Sequence, residues 1–374
     1  YRKDRFIKAK GDIFGNGLIV SEGDFWRRQR RLIQPAFHPR RLDGYAPAMV
    51  ACTERLARDW NSGEVRDLHD EMVSLTVAIA VRTLFGVDRD DAAVMIRGHL
   101  RAMNRYFERP FGMVGFLKWL PTPTILGYHR ARRAVDDFVY RIIDERRRSE
   151  AEGDDLLSRL LAARDEDGSR MSDRQLRDEV MTLFLAGHET TALLLTYTLY
   201  LLARNPEAES RLLAEFDAVL GGRTPAAEDV PRLVYTQQVI RESLRLYSPS
   251  YAFARECVEA DEMRGWRVPV GTTMVFSQWA VHRDPRTYED PEAFRPERWT
   301  PAFMEGLPRF AYFPFGGGPR VCVGAEMTML EASLVLPTIL QRFRLRVRDG
   351  APLRLRPSIA LRPEGGLPMR IEKR

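Results

Sequence analysis

The sequence predicts a mainly α-helical chain with a smaller β-containing part. From Gly23 to about Arg245, apolar residues recur mostly with helical spacing, broken at proline and glycine positions. After that point short β-like segments replace the helical pattern. The regular alternation of strands and helices that is typical of a dinucleotide-binding domain does not occur in the pattern. We therefore expect a large helical mass followed by a small amount of sheet.

The clearest predicted helix begins at Ser172 and continues to Asn205. Ser172 and Gln175 have the spacing of a capping box, and Pro206 then occupies the favoured first turn of the next helix. Some thirty helical residues extend over roughly 50 Å, which is enough to cross a whole domain. Two further helices are predicted from Val234 to Leu246 and from Ala325 to about Phe343.

The β-containing part follows Pro249. It includes the β-like stretches EMRGWRVPVG and TMVFSQWAV, then the proline-rich and aromatic stretch RDPRTYEDPEAFRPERW. Short strands are expected to close the chain.

Charge and cysteine content exclude some classes of function. The net charge of +6 comes from 58 basic and 52 acidic residues, and the basic ones form no tail and alternate with no aromatic residues. We therefore expect no nucleic-acid partner. Three scattered cysteines (Cys52, Cys257 and Cys322) are too few for a disulfide framework or a CxxC metal site, which favours a reducing, cytoplasmic location.

One cysteine, Cys322, follows three consecutive glycines in the segment FPFGGGPRVCVGAEM, residues 313–327. As a nucleophile it needs a histidine base, which would have to come from a distant part of the chain. As a zinc ligand it needs three partners, and the chain lacks their spacing. As the thiolate ligand of haem iron it needs only a protected setting. The segment favours this third use, and a buried cysteine beside a glycine turn is the structural alternative.

The glycines and the helix predicted after Cys322 support haem ligation physically. Gly316, Gly317 and Gly318 allow positive φ angles and a close approach of the backbone to a flat cofactor. The N-terminus of a following helix favours an anion, which lowers the pKa of the thiol and keeps the sulfur as thiolate.

The segment resembles the cysteine loop of the cytochrome P450 superfamily of haem-thiolate monooxygenases. The match in order and spacing involves Phe315, Gly318, Arg320, Cys322 and Gly324. The resemblance implies the cytochrome P450 fold, with a long central helix over the haem and the cysteine loop beneath it. It also implies haem b (iron protoporphyrin IX) with an axial cysteine thiolate, and O2 as co-substrate. Phe315 would shield the sulfur, Gly316 and Gly324 would leave room for the ring, and Arg320 would pair with a haem propionate.

The resemblance covers nearly all of the chain, from Trp26 to the C-terminus, so residues 1–374 are expected to form a single cytochrome P450 domain. Family members normally carry several dozen more residues upstream. We therefore expect an N-terminally shortened chain without the first helices and strands, and a membrane anchor in that part is left open. The most apolar stretch, Met181 to Ala203, contains His188 and Glu189 and is predicted to be a buried helix.

The segment AGHETT, Ala186 to Thr191, lies in the middle of the long helix and resembles the oxygen-activating segment of the family. A glycine and a threonine inside a helix weaken its hydrogen-bond ladder, so we expect a local widening here. By analogy, Thr190 supports oxygen activation, Glu189 relays protons through water, and Ala186 and Gly187 line the pocket. Taken alone, the segment would be a mildly polar core helix. The zinc motif HExxH is incomplete, since Ala192 occupies the position of its second histidine.

Other motifs of the family follow in order. Glu242 and Arg245 form an ExxR pair on one helix face, and Arg298 of FRPERW is its third member, with a positional role. Trp26 and Arg30 match the WxxxR helix, which with Arg255 and Arg320 would hold the haem propionates. His282 to Pro285, HRDP, is interpreted as structural.

The resemblance leaves the substrate undefined except that it is a hydrophobic small molecule. Substrate-facing positions are expected near Ala186, in Ser250 to Ala254 and near Ile359, and the aromatic stretch from Arg105 to Pro121 is expected to contribute to a lid.

The chain contains no flavin, NAD(P)H or iron–sulfur module, so electrons from NAD(P)H are expected through a separate ferredoxin or flavodoxin with its reductase. Arg27, Arg28 and Arg31 are a hypothetical docking patch for that donor. The protein is expected to be a monomer.

Two alternatives to an O2-dependent monooxygenase remain. A haem-thiolate enzyme that uses peroxide or rearranges its substrate often lacks the acid and alcohol, which are both present here as Glu189 and Thr190. A non-catalytic haem sensor would not need the AGHETT segment.

Overall fold

The computed structural model describes residues 1–8, 11–87, 90–107, 122–148, 153, 155–348 and 353–374. Helices dominate, as predicted, and the strands are short. The α-helices are α1 Arg5–Lys8, α2 Gly11–Phe14, α3 Gly23–Ile33, α4 Pro39–Leu42, α5 Ala46–Arg58, α6 Leu68–Phe85, α7 Asp90–Phe107, α8 Pro123–Arg148, α9 Leu156–Ala162, α10 Asp173–Arg204, α11 Pro206–Leu220, α12 Val234–Leu246, α13 Gln278–Val281, α14 Pro301–Gly306 and α15 Ala325–Leu340. The strands are β1 Arg2–Lys3, β2 Val65–Asp67, β3 Phe253–Glu256, β4 Asp261–Met263, β5 Trp266–Val268, β6 Thr273–Phe276, β7 Phe343–Val347, β8 Leu355–Pro357, β9 Leu361–Pro363 and β10 Pro368–Lys373.

The predicted capping box at the start of the long helix is confirmed. The backbone N–H of Ser172 donates to Oε1 of Gln175 at 2.7 Å, and the N–H of Gln175 donates to Oγ of Ser172 at 3.3 Å. The 32 residues of α10 follow, and Pro206 opens α11 as predicted. None of the helices in the described ranges has both the length and the hydropathy needed to cross a membrane.

The other two predicted helices are also confirmed. α12 has the predicted bounds, Val234–Leu246. α15 begins at Ala325 as predicted. It ends at Leu340 and not near Phe343, which is the first residue of β7.

The chain divides into two compact units. Unit 1 comprises residues 1–36, 80–186 and 252–277, and unit 2 comprises residues 37–79, 187–251 and 278–374. α6 and α10 each contribute residues to both units.

Aromatic side chains form much of the interior of unit 1. Tyr106 of α7 and Tyr128 of α8 stack with ring centroids 4.2 Å apart. Phe85 contacts Phe138 of α8 at 5.7 Å and Phe184 of α10 at 5.9 Å. These contacts join four helices of the unit, and burial of the aromatic side chains stabilises their packing.

Unit 1 also contains a small antiparallel sheet of β1, β3 and β6 in the order β1-β3-β6. Lys3 of β1 lies opposite Arg255 of β3, and Phe253 of β3 lies opposite Phe276 of β6. The rings of Phe253 and Phe276 stack at 5.2 Å, a cross-strand pair that stabilises this register. β4 and β5 form a separate hairpin.

The core of unit 2 is built around α15, whose residues from 330 to 340 are all buried. α5 and α12 pack against it. An antiparallel sheet with the order β2-β10-β7 lies in the same unit, and Trp60 contacts Phe343 of β7 edge to face at 5.5 Å. β8 and β9 form a hairpin in which Pro357 pairs with Leu361.

Candidate haem-thiolate site

The cysteine loop in unit 2 has a tightly folded backbone. Gly316 and Gly318 adopt φ angles of +74° and +65°, a region in which only glycine avoids a steric penalty. A short 3₁₀ helix, Gly318–Arg320, follows, and the backbone N–H of Cys322 donates to the carbonyl of Phe315 at 2.9 Å. Cys52 and Cys257 are buried, whereas Cys322 is exposed at the end of this turn.

The middle glycine of the three has a different role from the one predicted. Gly317 is extended, with φ −165°, so the prediction of a positive φ is wrong for this residue. A Cβ atom here would lie 2.4 Å from the ring of Phe310, so the close approach of that ring requires glycine.

Gly324 is the N-cap of α15, two residues after Cys322. The nearest protein atom to a Cβ built there would be Cε1 of Phe37, at 4.0 Å. The described part of the chain therefore leaves space beside Gly324, as a group next to Cys322 would need.

The AGHETT segment lies at the middle of α10 as predicted. Ala186 and Gly187 are exposed, although most α10 residues around them are buried. Glu189 and Thr190 are half-buried, and His188 and Thr191 are buried. A short accessible stretch on an otherwise buried helix is what a site for a small molecule requires.

The expected widening of the helix at this segment is not seen. The α-helical pattern continues without interruption from Asp173 to Arg204. Apart from its own helix backbone and chain neighbours, no atom of the described residues lies within 4 Å of a Cβ built at Gly187. This glycine leaves space beside the helix without opening its hydrogen-bond ladder.

Glu189 forms an ion pair with Arg362 of β9, in which Nε of Arg362 donates to Oε1 of Glu189. Both side chains are largely buried, with exposed fractions of 15% for Glu189 and 11% for Arg362. Burial alone would raise the pKa of Glu189, but the charge and the hydrogen bond of Arg362, which are the largest opposing effects, hold the pKa below the ordinary value. The carboxyl is therefore ionised at neutral pH.

The ExxR pair and Arg298 come together in the interior of unit 2. Nε and Nη2 of Arg245 donate to the two carboxylate oxygens of Glu242 at 2.9 and 2.8 Å, and both side chains are fully buried. Arg298 Nε donates to Glu242 at 3.0 Å and Trp299 Nε1 does so at 2.9 Å. Arg245 also donates to the carbonyls of His282, Pro291 and Ala293. The pair therefore fixes the irregular chain before the cysteine loop.

His282 links this charge cluster to the cysteine loop. Its carbonyl accepts from Arg245 at 2.9 Å, and its Nε2 accepts from the backbone N–H of Phe313 at 2.9 Å. Burial, with the nearby positive charge of Arg245, lowers the pKa of His282 to about 3. A neutral imidazole keeps Nε2 available as an acceptor, which suits the structural role expected for HRDP.

The candidate propionate-binding residues lie on separate elements. In unit 1, Trp26 and Arg30 lie one turn apart on α3, and Arg30 Nε donates to Gln34 at 3.2 Å. Also in unit 1, Arg255 of β3 lies over the ring of Phe253 at 5.0 Å, and burial lowers its pKa. Arg320 belongs to unit 2, on the 3₁₀ helix before Cys322.

The predicted docking patch is already neutralised within the chain. Arg28 and Arg31 both pair with Asp165, at 2.6 and 2.8 Å, and Arg27 pairs with Asp24. The hydrogen bond from Arg31 contributes most to lowering the pKa of Asp165 to about 2. These surface pairs lower the net positive charge of the patch, and its use for docking an electron donor stays a prediction.

Of the predicted substrate positions, Ile359, Ser250 and Tyr251 belong to unit 2, whereas residues 252–254 belong to unit 1. Ile359, at the tip of the β8–β9 hairpin, is 48% exposed. Tyr251 Oη donates to the carbonyl of Ser358 at 3.0 Å and so anchors the same tip. Most of the predicted lid, residues 108–121, lies outside the described residues.

Sequence reasoning missed Arg362 and His69, the residues around Glu189. Arg362 lies between the buried residues Leu361 and Pro363 of a three-residue strand. The sequence feature that could have identified Arg362 is a single charged residue within a short apolar stretch. The sequence did not indicate which acidic residue it would meet, 173 positions away.

The chemistry of these residues fits a haem held by one cysteine. No group of three or more His, Cys, Asp or Glu side chains in the described ranges could hold a metal ion. Haem iron needs only one thiolate from the protein, and Cys322 is accessible on a backbone turn with open space beside Gly324. Together with an acid and an alcohol at the accessible middle of a long helix, these residues define the class as a haem-thiolate oxygenase.

Comparisons with known proteins identify the family. The model of the family described as Cytochrome P450 matches residues 1–367. The chain therefore belongs to the cytochrome P450 family, as the sequence predicted.

Curated relatives include three enzymes of Streptomyces. Cyclooctatin synthase of Streptomyces melanosporofaciens is 41% identical over 95% of this chain and 78% of its own length. Cyclooctat-9-en-7-ol 5-monooxygenase of the same organism is 41% identical over 93% of this chain and 76% of its own length. Pentalenene oxygenase of Streptomyces avermitilis is 39% identical over 93% of this chain and 78% of its own length.

Solved structures agree on the fold. Retinoic acid bound cyanobacterial CYP120A1 matches with a TM-score of 0.88 and 27% identity, over 98% of this chain and 83% of that one. The cytochrome P450DA heme domain matches with a TM-score of 0.88 and 28% identity, over 100% of this chain and 82% of that one. The protein is thus an oxidoreductase of the P450 monooxygenase type, which uses haem with a cysteine thiolate and O2.

Proposed function

We propose that this monooxygenase inserts one oxygen atom from O2 into a terpene hydrocarbon or terpene alcohol, by hydroxylation or epoxidation. The observation that carries this proposal is the identity of about 40% with relatives named for cyclooctat-9-en-7-ol and pentalenene. The apolar tip of the β8–β9 hairpin, with Ile359 exposed, agrees with a hydrophobic substrate.

Cys322 is proposed to hold the haem iron through its thiolate, and the haem would supply O2 activation when bound. The loop turn holds the sulfur in an exposed position, and the N-terminus of α15 favours its anionic form. The further cofactor contacts follow the family motifs and are proposed for Arg320, Trp26, Arg30, Arg255, Phe315, Gly316, Gly324, Ala186 and Gly187.

Thr190 and Glu189 are proposed as the catalytic residues. The hydroxyl of Thr190 would orient a water or the reacting oxygen by hydrogen bonding, and the carboxylate of Glu189 would accept and pass on protons through water. Glu242, Arg245 and Arg298 are proposed to have a structural role, because their charges are mutually satisfied inside unit 2.

Electrons are proposed to come from NAD(P)H through a separate ferredoxin or flavodoxin with its reductase, because P450 monooxygenases depend on redox partners for their electrons. We further propose a monomer in which residues 1–374 act as one catalytic domain. A cytoplasmic location agrees with the three scattered cysteines.

The test is turnover under oxygen-18 gas with NADPH, a ferredoxin and a ferredoxin reductase. The substrates are cyclic sesquiterpene and diterpene hydrocarbons and their mono-alcohols. We expect a product that carries one oxygen-18 atom and that depends on NADPH. Equal yield from hydrogen peroxide alone would favour the peroxide-driven alternative, and haem-loaded protein with no turnover on the whole panel would favour a sensor.

The Thr190→Ala variant tests the role of the alcohol in the same assay. It should form less product per NADPH and release more hydrogen peroxide, because oxygen activation loses its hydrogen-bonding group. Thr198→Ala is the matched control, since Thr198 is a buried threonine of the same helix that donates to the carbonyl of Leu194. Equal behaviour of the two variants would contradict the assignment of Thr190.

A further inference from the structure

One face of α10 attaches the β8–β9 hairpin to the helix. Glu189, Leu193 and Tyr197 are four residues apart and therefore lie along the same face. Tyr197 Oη donates to the carbonyl of Leu361 at 2.6 Å. Leu193 and Tyr197 are fully buried in a cluster with Ala360 of the hairpin.

The ion pair of Glu189 and Arg362 continues this contact at the accessible middle of the helix. Arg362 is held in β9, whose neighbouring residues Leu361 and Pro363 are both buried. Because the hairpin is fixed by Tyr197 and by the backbone N–H of Leu361, which donates to the carbonyl of Pro249 at 3.0 Å, the guanidinium has little freedom to leave. Arginine also stays charged at any pH at which the protein is folded.

We propose that Arg362 is a positioning residue that sets the charge and the orientation of the Glu189 carboxylate, and thereby controls proton delivery. This inference rests on the function proposed for Glu189 above. While the pair is closed, the carboxylate faces β9 and stays ionised. It can carry a proton toward the reaction only when the pair loosens.

The other ionisable groups around Glu189 do not replace Arg362. His188 precedes Glu189 on α10, and His69 belongs to α6, where it also faces Asp67 and Asp70. Burial is the largest influence on His69 and lowers its pKa, so it is neutral at pH 7. Without Arg362, burial would dominate at Glu189 and raise the pKa of its carboxyl.

The direct test is an infrared titration of the haem-loaded protein with carbon-13-labelled glutamate, which detects protonated carboxyl groups. The band of Glu189 is assigned by its loss in Glu189→Gln, which separates it from the other buried acids. We expect the Arg362→Gln variant to show a protonated Glu189 band that titrates at higher pH than in the wild type. Arg362→Lys keeps the charge and should restore the wild-type titration.

Two further variants keep the test decisive. Arg354→Gln is the matched control, because Arg354 is an exposed arginine next to the same hairpin. Arg362→Met fills similar space without charge and replaces Arg362→Gln should the latter not fold. A wild-type titration of Glu189 in whichever of these two neutral variants folds would overturn the proposal. So would a new band that persists in the Glu189→Gln/Arg362→Gln double variant.

The turnover assay gives a second, separable result. We expect Arg362→Gln to form about 10-fold less product per NADPH than wild type at the acidic end of the pH range, with a pH dependence that Arg354→Gln lacks. If the wild type turns over no terpene, the proposed function fails while the infrared titration still tests Arg362. If the wild type turns over and Arg362→Gln has the same product yield at every pH, only this inference fails.

Discussion

The imidazole of His282 accepts a hydrogen bond through Nε2 from the backbone N–H of Phe313, at 2.9 Å. Phe313 begins the cysteine loop, and the carbonyl of His282 is bonded to Arg245 of the buried charge pair. One neutral side chain therefore connects the charge cluster of unit 2 with the segment that carries Cys322. Its protonation would convert the acceptor into a donor and break that connection.

We predict that His282 makes the protein less stable at acidic pH. The pKa of His282 is about 3 in the folded state and 6.5 in the unfolded reference, so between these values the unfolded chain binds the extra proton. The free energy of unfolding should then fall by about 1.4 kcal/mol for each pH unit below 6.5. Urea unfolding at several pH values measures this slope.

His282→Gln retains a hydrogen-bond acceptor on a side chain of similar length but cannot be protonated. It should therefore reduce the dependence of the free energy of unfolding on pH below 6.5. His38→Gln is the control, because His38 is exposed at the start of α4. An unchanged slope in His282→Gln would contradict the prediction.

A second pH effect of opposite sign is predicted for Glu331 of α15. Burial raises the pKa of Glu331 to about 8, and its Oε1 has no hydrogen-bond partner among the residues that the structure describes. The folded state therefore holds a proton that the unfolded chain releases above pH 4.5, and stability is lost as the pH rises from 4.5 to about 8. In the wild type this loss amounts to about 1.4 kcal/mol in the free energy of unfolding for each pH unit, and Glu331→Gln should abolish it.

The measurement is again urea unfolding across that pH range. Glu326→Gln, an exposed position on the same helix, should retain the wild-type slope. Identical slopes for Glu331→Gln and the wild type would show that the buried carboxyl does not titrate as expected.

Breaking the buried pair of Glu242 and Arg245 should be strongly destabilising. Within the described ranges, Arg245→Met leaves the carboxylate of Glu242 with Arg298 as its one paired cation and removes the Arg245 hydrogen bonds from three backbone carbonyls. We expect a loss of about 3–5 kcal/mol in the free energy of unfolding, together with poor haem incorporation. Arg286→Met, which removes an exposed pair with Asp284, should leave both nearly unchanged. Similar unfolding curves for the two variants would refute this role.

Local sequence signals predicted the helices well. The cap formed by Ser172 and Gln175 and the proline at 206 set the bounds of α10 and α11 because they act within one turn of the chain. The cysteine loop was also readable, since its glycines and Cys322 are neighbours in sequence.

Contacts between distant residues were not predictable from the same signals. The sequence does not show that Asp165 lies against Arg28 and Arg31, two residues of the predicted docking patch. Arg362 was overlooked for the same reason, since its partner Glu189 is defined only when the β8–β9 hairpin packs on α10. Spacing within a helix predicted Glu242 with Arg245, but Trp299 as a further donor to Glu242 required the folded chain.

The ferrous carbon monoxide difference spectrum tests the central assignment, that the thiolate of Cys322 holds the haem iron. The wild type should show the long-wavelength Soret band that is typical of thiolate ligation. Cys52→Ser and Cys257→Ser should keep this band, whereas Cys322→Ser should lose it. Absence of the band from freshly prepared, haem-loaded wild-type protein, or its persistence in Cys322→Ser, would contradict the account.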